Sequence, residues 1–142
     1  MAAITGIYLG SVAAAAAVAR RRGLPSHISP WDLVLIGVAT HKLSRRISKD
    51  SVTSPLRAPF VDVKGPQGPG ELEEEVQGTG LRRAVGELIT CPFCVGQWVA
   101  TGFTFGLVFA PRATRLAASI MGASAISDFL QFGYSLAEQS QE

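Results

Sequence analysis

The apolar residues of this chain are gathered into blocks, and its charges into the segments between the blocks. A soluble fold interleaves the two, because each helix or strand must offer one face to a core and the other to water. Charged residues make up 17% of the 142, below the about 25% of an ordinary soluble domain, while the hydrophobic share is 47%. Segregated in this way, the chain predicts an all-α membrane protein. We expect a helical bundle of about three transmembrane helices plus one interfacial or short spanning helix. The net charge of +2 is too small to suggest nucleic acid, and the basic residues flanking the blocks are accounted for by topology and anionic lipid.

Five segments follow from this pattern. Residues 1–22 read as a transmembrane helix, alanine-rich and uncharged until Arg20, Arg21 and Arg22. A secretory signal would carry its positive charges before the apolar run, so the helix is read as uncleaved, with its C-terminal end in the cytoplasm. Residues 23–50 hold a connector with two prolines, then an apolar stretch over 33–43. That stretch is short, is interrupted by His41 and Lys42, and is flanked by Trp31 and by Arg45 and Arg46. A helix lying in the interface suits it, with a short tilted span as the rival.

Residues 51–90 are polar and broken by four prolines, with a flexible Gly-Pro linker over 64–70 and an acidic cluster of Glu71, Glu73, Glu74 and Glu75. The cluster reads as a solvated loop or helix start. Residues 80–89 can form a short amphipathic helix with Leu81, Val85 and Leu88 on one side. Residues 91–136 contain two apolar runs, 93–110 and 116–136, joined by Pro111-Arg112-Ala113-Thr114-Arg115, and predict an antiparallel helical hairpin. Residues 137–142 are a polar tail. Three small-xxx-small pairs, Gly6/Gly10, Gly102/Gly106 and Ala118/Gly122, permit close helix contact and point to a second copy or another membrane protein as partner, besides the lipid bilayer.

Counting basic residues orients the chain. Arg20, Arg21, Arg22, Lys42, Arg45, Arg46, Arg82 and Arg83 all lie between the first apolar run and the two cysteines, against Arg112 and Arg115 in the hairpin turn. With three spans this keeps the middle section and the cysteines on the cytoplasmic side. If the 33–43 stretch crosses instead, the cysteines move outside.

Both cysteines sit in Cys91-Pro92-Phe93-Cys94-Val95-Gly96-Gln97-Trp98, a CxxC leading directly into an apolar run. Three readings stand. Two thiolates supply half of a zinc site, which needs four ligands, so the rest must come from His41, His27, a carboxylate or another copy. The spacing is also that of a dithiol redox pair, although the βαβ pattern of thioredoxin-like enzymes is missing. Third, the thiols simply pack in a tight turn where a loop enters the bilayer. His41 is otherwise a polar interfacial residue. Asp128, the one ionisable residue inside the last apolar run, marks a function or an ion pair, or else reaches water near the helix end. There is no P-loop, G-x-S-x-G or H-E-x-x-H, so no catalytic class is recognisable. The function expected is therefore structural or interactive, with a membrane-bound thiol redox protein or sensor as the alternative.

Three motifs in order resemble the DUF1360 family of small bacterial membrane proteins. Residues 31–45 are similar to the opening of that family. The stretch from Asp50-Ser51 to Pro55-Leu56-Arg57-Ala58-Pro59-Phe60 is similar to its D-S-x-PLR-x-PF, and residues 91–98 to its C-x-x-C-x-G-x-W. The resemblance covers residues 31–136. It implies an integral membrane protein, with some relatives linked to sporulation in Gram-positive bacteria, and no known reaction.

Overall fold

The computed structural model describes residues 2–23 and 27–140; the middle of the first connector and the last two residues of the tail lie outside them. Four long helices run alongside one another: α1 (Ala2–Arg22), α2 (Pro30–Ser48), α5 (Pro92–Phe109) and α6 (Pro111–Gln139). Between α2 and α5 lies a polar module. It comprises a 3-10 turn (Ser51–Thr53), the single-turn α3 (Ser54–Arg57), β1 (Val61–Gly68), β2 (Glu71–Val76) and α4 (Gly80–Thr90).

Local chemistry sets the helix ends. α1 carries three arginines in its last turn, where a cation meets the negative end of the helix dipole, and stops at Gly23 in the left-handed region (φ 84°). α2, α5 and α6 each begin with proline, whose fixed φ and missing N–H suit the first helical position. Only Ala110 separates α5 from α6. That abrupt reversal brings Gly106 against Thr114, where a Cβ would lie 2.6 Å from the threonine Oγ1.

The order of contacts gives the directions. Asp32 pairs with Arg115 and Lys42 with Asp128, so α2 and α6 run parallel. Ser44 lies against Gly96, while Phe103 packs on Ile36, Ala39 and Ala118, so α5 runs antiparallel to both. Tyr8 meets Trp98 and Thr101, and Arg22 lies 5.5 Å over the Phe109 ring, so α1 runs parallel to α5. One end of the bundle therefore holds the start of α1, the polar module, the CxxC and the end of α6. The other holds Arg20, Arg21, Arg22, Asp32 and the α5–α6 reversal.

Two expectations change here. α2 does not lie across the helix ends as an interfacial helix would; it is the central helix, packed lengthwise between α5 and α6. Nor is the chain all-α, because the supposed flexible linker is a β-hairpin. Val61 pairs with Val76 and Gly68 with Glu71, with register shifts beside Gly65 and Pro66. Proline is tolerated at such irregular positions because no ladder N–H is demanded of it. Pro69-Gly70 forms the two-residue connection, with Gly70 at φ 74°. The acidic cluster is β2.

The chain is thus mostly helical. Among the described residues, α1 and α5 are long and apolar enough to cross a membrane. α6, at 29 residues, is longer than either, but its four serines, Asp128 and Gln131 dilute its apolar character. Of the three small-residue pairs, Ala118 and Gly122 are buried against α2, and Gly106 is used at the reversal. Gly6, Gly10 and Gly102 face open space.

Candidate functional site

The CxxC sits where the polar module meets the bundle. Cys91 ends α4 and caps α5 in an extended conformation (φ −98°, ψ 106°), and its Sγ accepts the Cys94 backbone N–H at 3.3 Å. Pro92 then starts the helix, which leaves Cys91 half-buried and Cys94 exposed, both as free thiols. Burial pushes the Cys91 thiol pKa up. Hydrogen bonds from the Cys94 thiol and from the backbone N–H groups of Cys94 and Phe93, together with the charge of Lys49, outweigh that and hold it below the ordinary thiol value. Lys49 follows directly on α2, so it is the packing of α2 against α5 that brings a cation to the thiol.

Among the described residues no three histidine, cysteine or acidic side chains come together as a metal set. Cys91 and Cys94 are adjacent; His41 is elsewhere, on the α2 face turned toward α6. Among the described residues the two thiols therefore offer half of the four ligands that a structural zinc ion takes. Asp128 is no isolated carboxylate, since it accepts a hydrogen bond from Lys42 across the α2–α6 contact.

Within the polar module lies a centre that sequence reading missed. Arg57, 1% exposed, donates to both carboxylate oxygens of Glu74, itself 2% exposed, through Nε (2.6 Å) and Nη2 (2.9 Å). Its remaining donors reach the Ile47 carbonyl (2.6 Å), the Thr53 hydroxyl (2.6 Å) and the Asp50 carbonyl (2.9 Å). Ser54 adds a hydroxyl to Glu74. One guanidinium thus ties the end of α2, the 3-10 turn and the hairpin together, with every buried polar atom of the pair matched. Arg82 ties α4 to the same module through the Pro59 carbonyl, and Gly86 lets the Val76 side chain and the Phe60 carbonyl approach. The Pro-Leu-Arg-x-Pro-Phe stretch was the visible signal. What hid its role is that the partner carboxylate is one of four similar glutamates.

Comparison with known proteins now adds to this geometry. The model of a family described as protein of unknown function (DUF1360) matches residues 35–134, a span that holds most of α2, the Arg57 centre, the CxxC, α5 and most of α6. The chain belongs to the DUF1360 family. A member of the curated proteins, "Sporulation protein YjcA" of Bacillus subtilis (strain 168), is 31% identical over 91 residues, which cover 62% of this chain and 77% of the relative. No solved structure matches. α1 precedes the matched region, so in this DUF1360 chain it is an element packed onto the family core.

Proposed function

We propose that this DUF1360 chain is a multi-span membrane protein that crosses the bilayer four times and presents its polar module as a rigid interaction platform. The carrying observation is the lengthwise packing of α2 between α5 and α6. If α5 crosses, α2 crosses with it, and at 19 residues it is about 28 Å long, close to the thickness of a bilayer core. The basic end of α1 marks the cytoplasmic side, since the first helix usually sets orientation. Four crossings then carry the module and the thiols to the outer side, rather than the cytoplasmic side that three spans imply.

The platform reading is supported by the module itself. Arg57 fixes it to the bundle, and Val52 and Leu56, 82% and 75% exposed, stand outward from it. Apolar side chains held in place outside the spanning helices suit a protein partner or a second copy. The process carried over from the curated relative is sporulation. A photo-crosslinker replacing Leu56 in native membranes tests the reading. Adducts to one defined protein, or to a second copy, are expected; recovery of uncrosslinked monomer alone would count against a platform.

A second reading, thiol exchange, is favoured by Cys91. Its cap position and lowered pKa suit the attacking thiolate, which would displace one sulfur of a client disulfide as a leaving thiolate, with Cys94 resolving the mixed disulfide. Cys94→Ser would then accumulate a mixed disulfide and Cys91→Ser would not. Identical non-reducing gels for both variants and wild type would end that idea.

A further inference from the structure

The charges of the bundle are divided unequally between its two ends. At the module end the arginines are partnered: Arg45, Arg46, Arg57 and Arg83 face carboxylates, and Arg82 the Pro59 carbonyl. At the other end the fold brings together two basic sets that lie far apart in sequence. Arg20, Arg21 and Arg22 close α1, and Arg112 and Arg115 open α6, whose first turn holds no acidic residue. Asp32 is the carboxylate among them, and Arg115 takes both of its oxygens, each at 2.9 Å. Among the described residues Arg20, Arg21, Arg22 and Arg112 make no ion pair and no side-chain hydrogen bond.

Arg22 is nevertheless held in place. Its guanidinium lies over the Phe109 ring, 5.5 Å from the centroid. A ring face attracts a cation through its quadrupole and occupies none of its in-plane N–H groups, so the guanidinium is oriented while its donors stay open. Arg112 follows Phe109 by three residues, so at most about 11 Å separates their Cα atoms. Two arginine side chains can converge on one small anion across that distance. Phe109 also stacks on Phe105, with ring centroids 6.2 Å apart, and Phe105 lies about 6 Å further down α5, toward the middle of the bundle.

Open guanidinium donors outermost and stacked aromatic rings beneath them match the polarity of a phospholipid, with its head at the surface and its chains running inward. The sign of the head follows from the surroundings. A zwitterionic head would carry an ammonium into a patch of five arginines whose one carboxylate is already taken. A head whose net charge is negative meets no such repulsion.

We propose that Arg22 and Arg112 bind the phosphate of one anionic phospholipid in the cytoplasmic leaflet. Phe109 holds Arg22 ready, and an acyl chain runs inward past Phe109 and Phe105. This site differs from the diffuse attraction of flanking basic residues for anionic lipid, because it depends on which arginine is present and not on how many. The inference rests on the reading that α1 and α5 cross the bilayer, and is indifferent to the crossing of α2.

The test uses the full chain purified in detergent at physiological ionic strength, with native mass spectrometry after incubation with phosphatidylglycerol or phosphatidylcholine. Retention of one phosphatidylglycerol in preference to phosphatidylcholine is expected. Arg22→Gln and Arg112→Gln should each weaken it roughly tenfold, the size of one charge-assisted hydrogen bond. Arg21→Gln removes the same charge without a ring beneath it. It should change retention by less than about twofold, because salt screens an exposed charge outside the site. Equal retention of the two lipids, or an Arg21→Gln variant as weak as Arg22→Gln, would overturn the proposal. So would displacement of the lipid by glycerol 3-phosphate at equal concentration, which would make the site one for a soluble phosphate. A carbonate wash separates the two ideas. A chain that stays in the membrane pellet yet shows no lipid preference sinks the site alone, whereas release into the supernatant sinks the membrane reading with it.

Discussion

The polar module and the helical bundle are stabilised by opposite means, and the contrast explains how each behaves under mutation. The module is organised around one charge: Arg57 spends its donors on a carboxylate, two carbonyls and a hydroxyl, and little apolar surface is buried around it. The bundle is organised around small residues, with Ala39, Ala118, Gly122 and Ala125 letting α2 and α6 approach, and polar contacts confined to single pairs. A module of the first kind depends on a single residue; a bundle of the second kind loses a little at many.

Breaking the module at its hub should give the largest effect. Arg57→Ala leaves Glu74 as an unpaired buried carboxylate and should cost about 3–5 kcal/mol, read as new protease cleavage within residues 61–76 while α5 and α6 stay protected. Glu74→Gln should do the same to a smaller degree, because an amide still accepts from Arg57. If both variants resist protease as wild type does, the module is not organised as described.

Next in size come two glycines. At Gly86 an added methyl would meet Val76 Cγ1 at 2.6 Å and the Phe60 carbonyl at 3.2 Å, so Gly86→Ala should cost about 1–3 kcal/mol. Gly106→Ala should cost a similar amount by pressing Thr114 at the α5–α6 reversal. Gly10→Ala, facing open space, is the control and should leave the melting temperature in detergent unchanged.

The smallest effect belongs to α1. The Tyr8 hydroxyl joins Gln97 Nε2 and Thr101 Oγ1, each at 2.8 Å, and hydrogen bonds between membrane helices average about 0.6 kcal/mol. Tyr8→Phe should therefore loosen α1 by about 1 kcal/mol and leave α2, α5 and α6 unchanged, as read by disulfide trapping between α1 and α5. At the junction of the two regions, Cys91 alkylation should be half-maximal at a lower pH in the folded protein than in the denatured chain. The thiolate is favoured only where the cap and Lys49 are in place. Coincident profiles would remove the basis for a reactive thiol.

The two regions were also unequally legible. The uncharged run ending in three arginines and the apolar run after Trp98 announce α1 and α5 by composition, because a bilayer selects on average hydropathy over one turn after another. α2 was harder, since its polar half looks interfacial until Lys42 finds Asp128 and Asp32 finds Arg115, each more than eighty residues away. No local periodicity carries that information. The hairpin was obscured by its Gly-Pro composition. Yet the alternation Val61-Asp62-Val63-Lys64 and the Pro69-Gly70 turn are strand and turn signals that were outweighed by the prolines. The CxxC was visible at once; its cap geometry and the neighbouring Lys49 required the fold.

The claim that α2 crosses the membrane is tested most directly by accessibility on its two sides. A membrane-impermeant maleimide is applied to intact cells and to inverted vesicles carrying either the wild type or a His27→Cys variant that lacks both native cysteines. The four-crossing account predicts that the native thiols label in intact cells and the position-27 thiol only in inverted vesicles. Labelling of both in the same preparation would put the two ends of α2 on one side and contradict it.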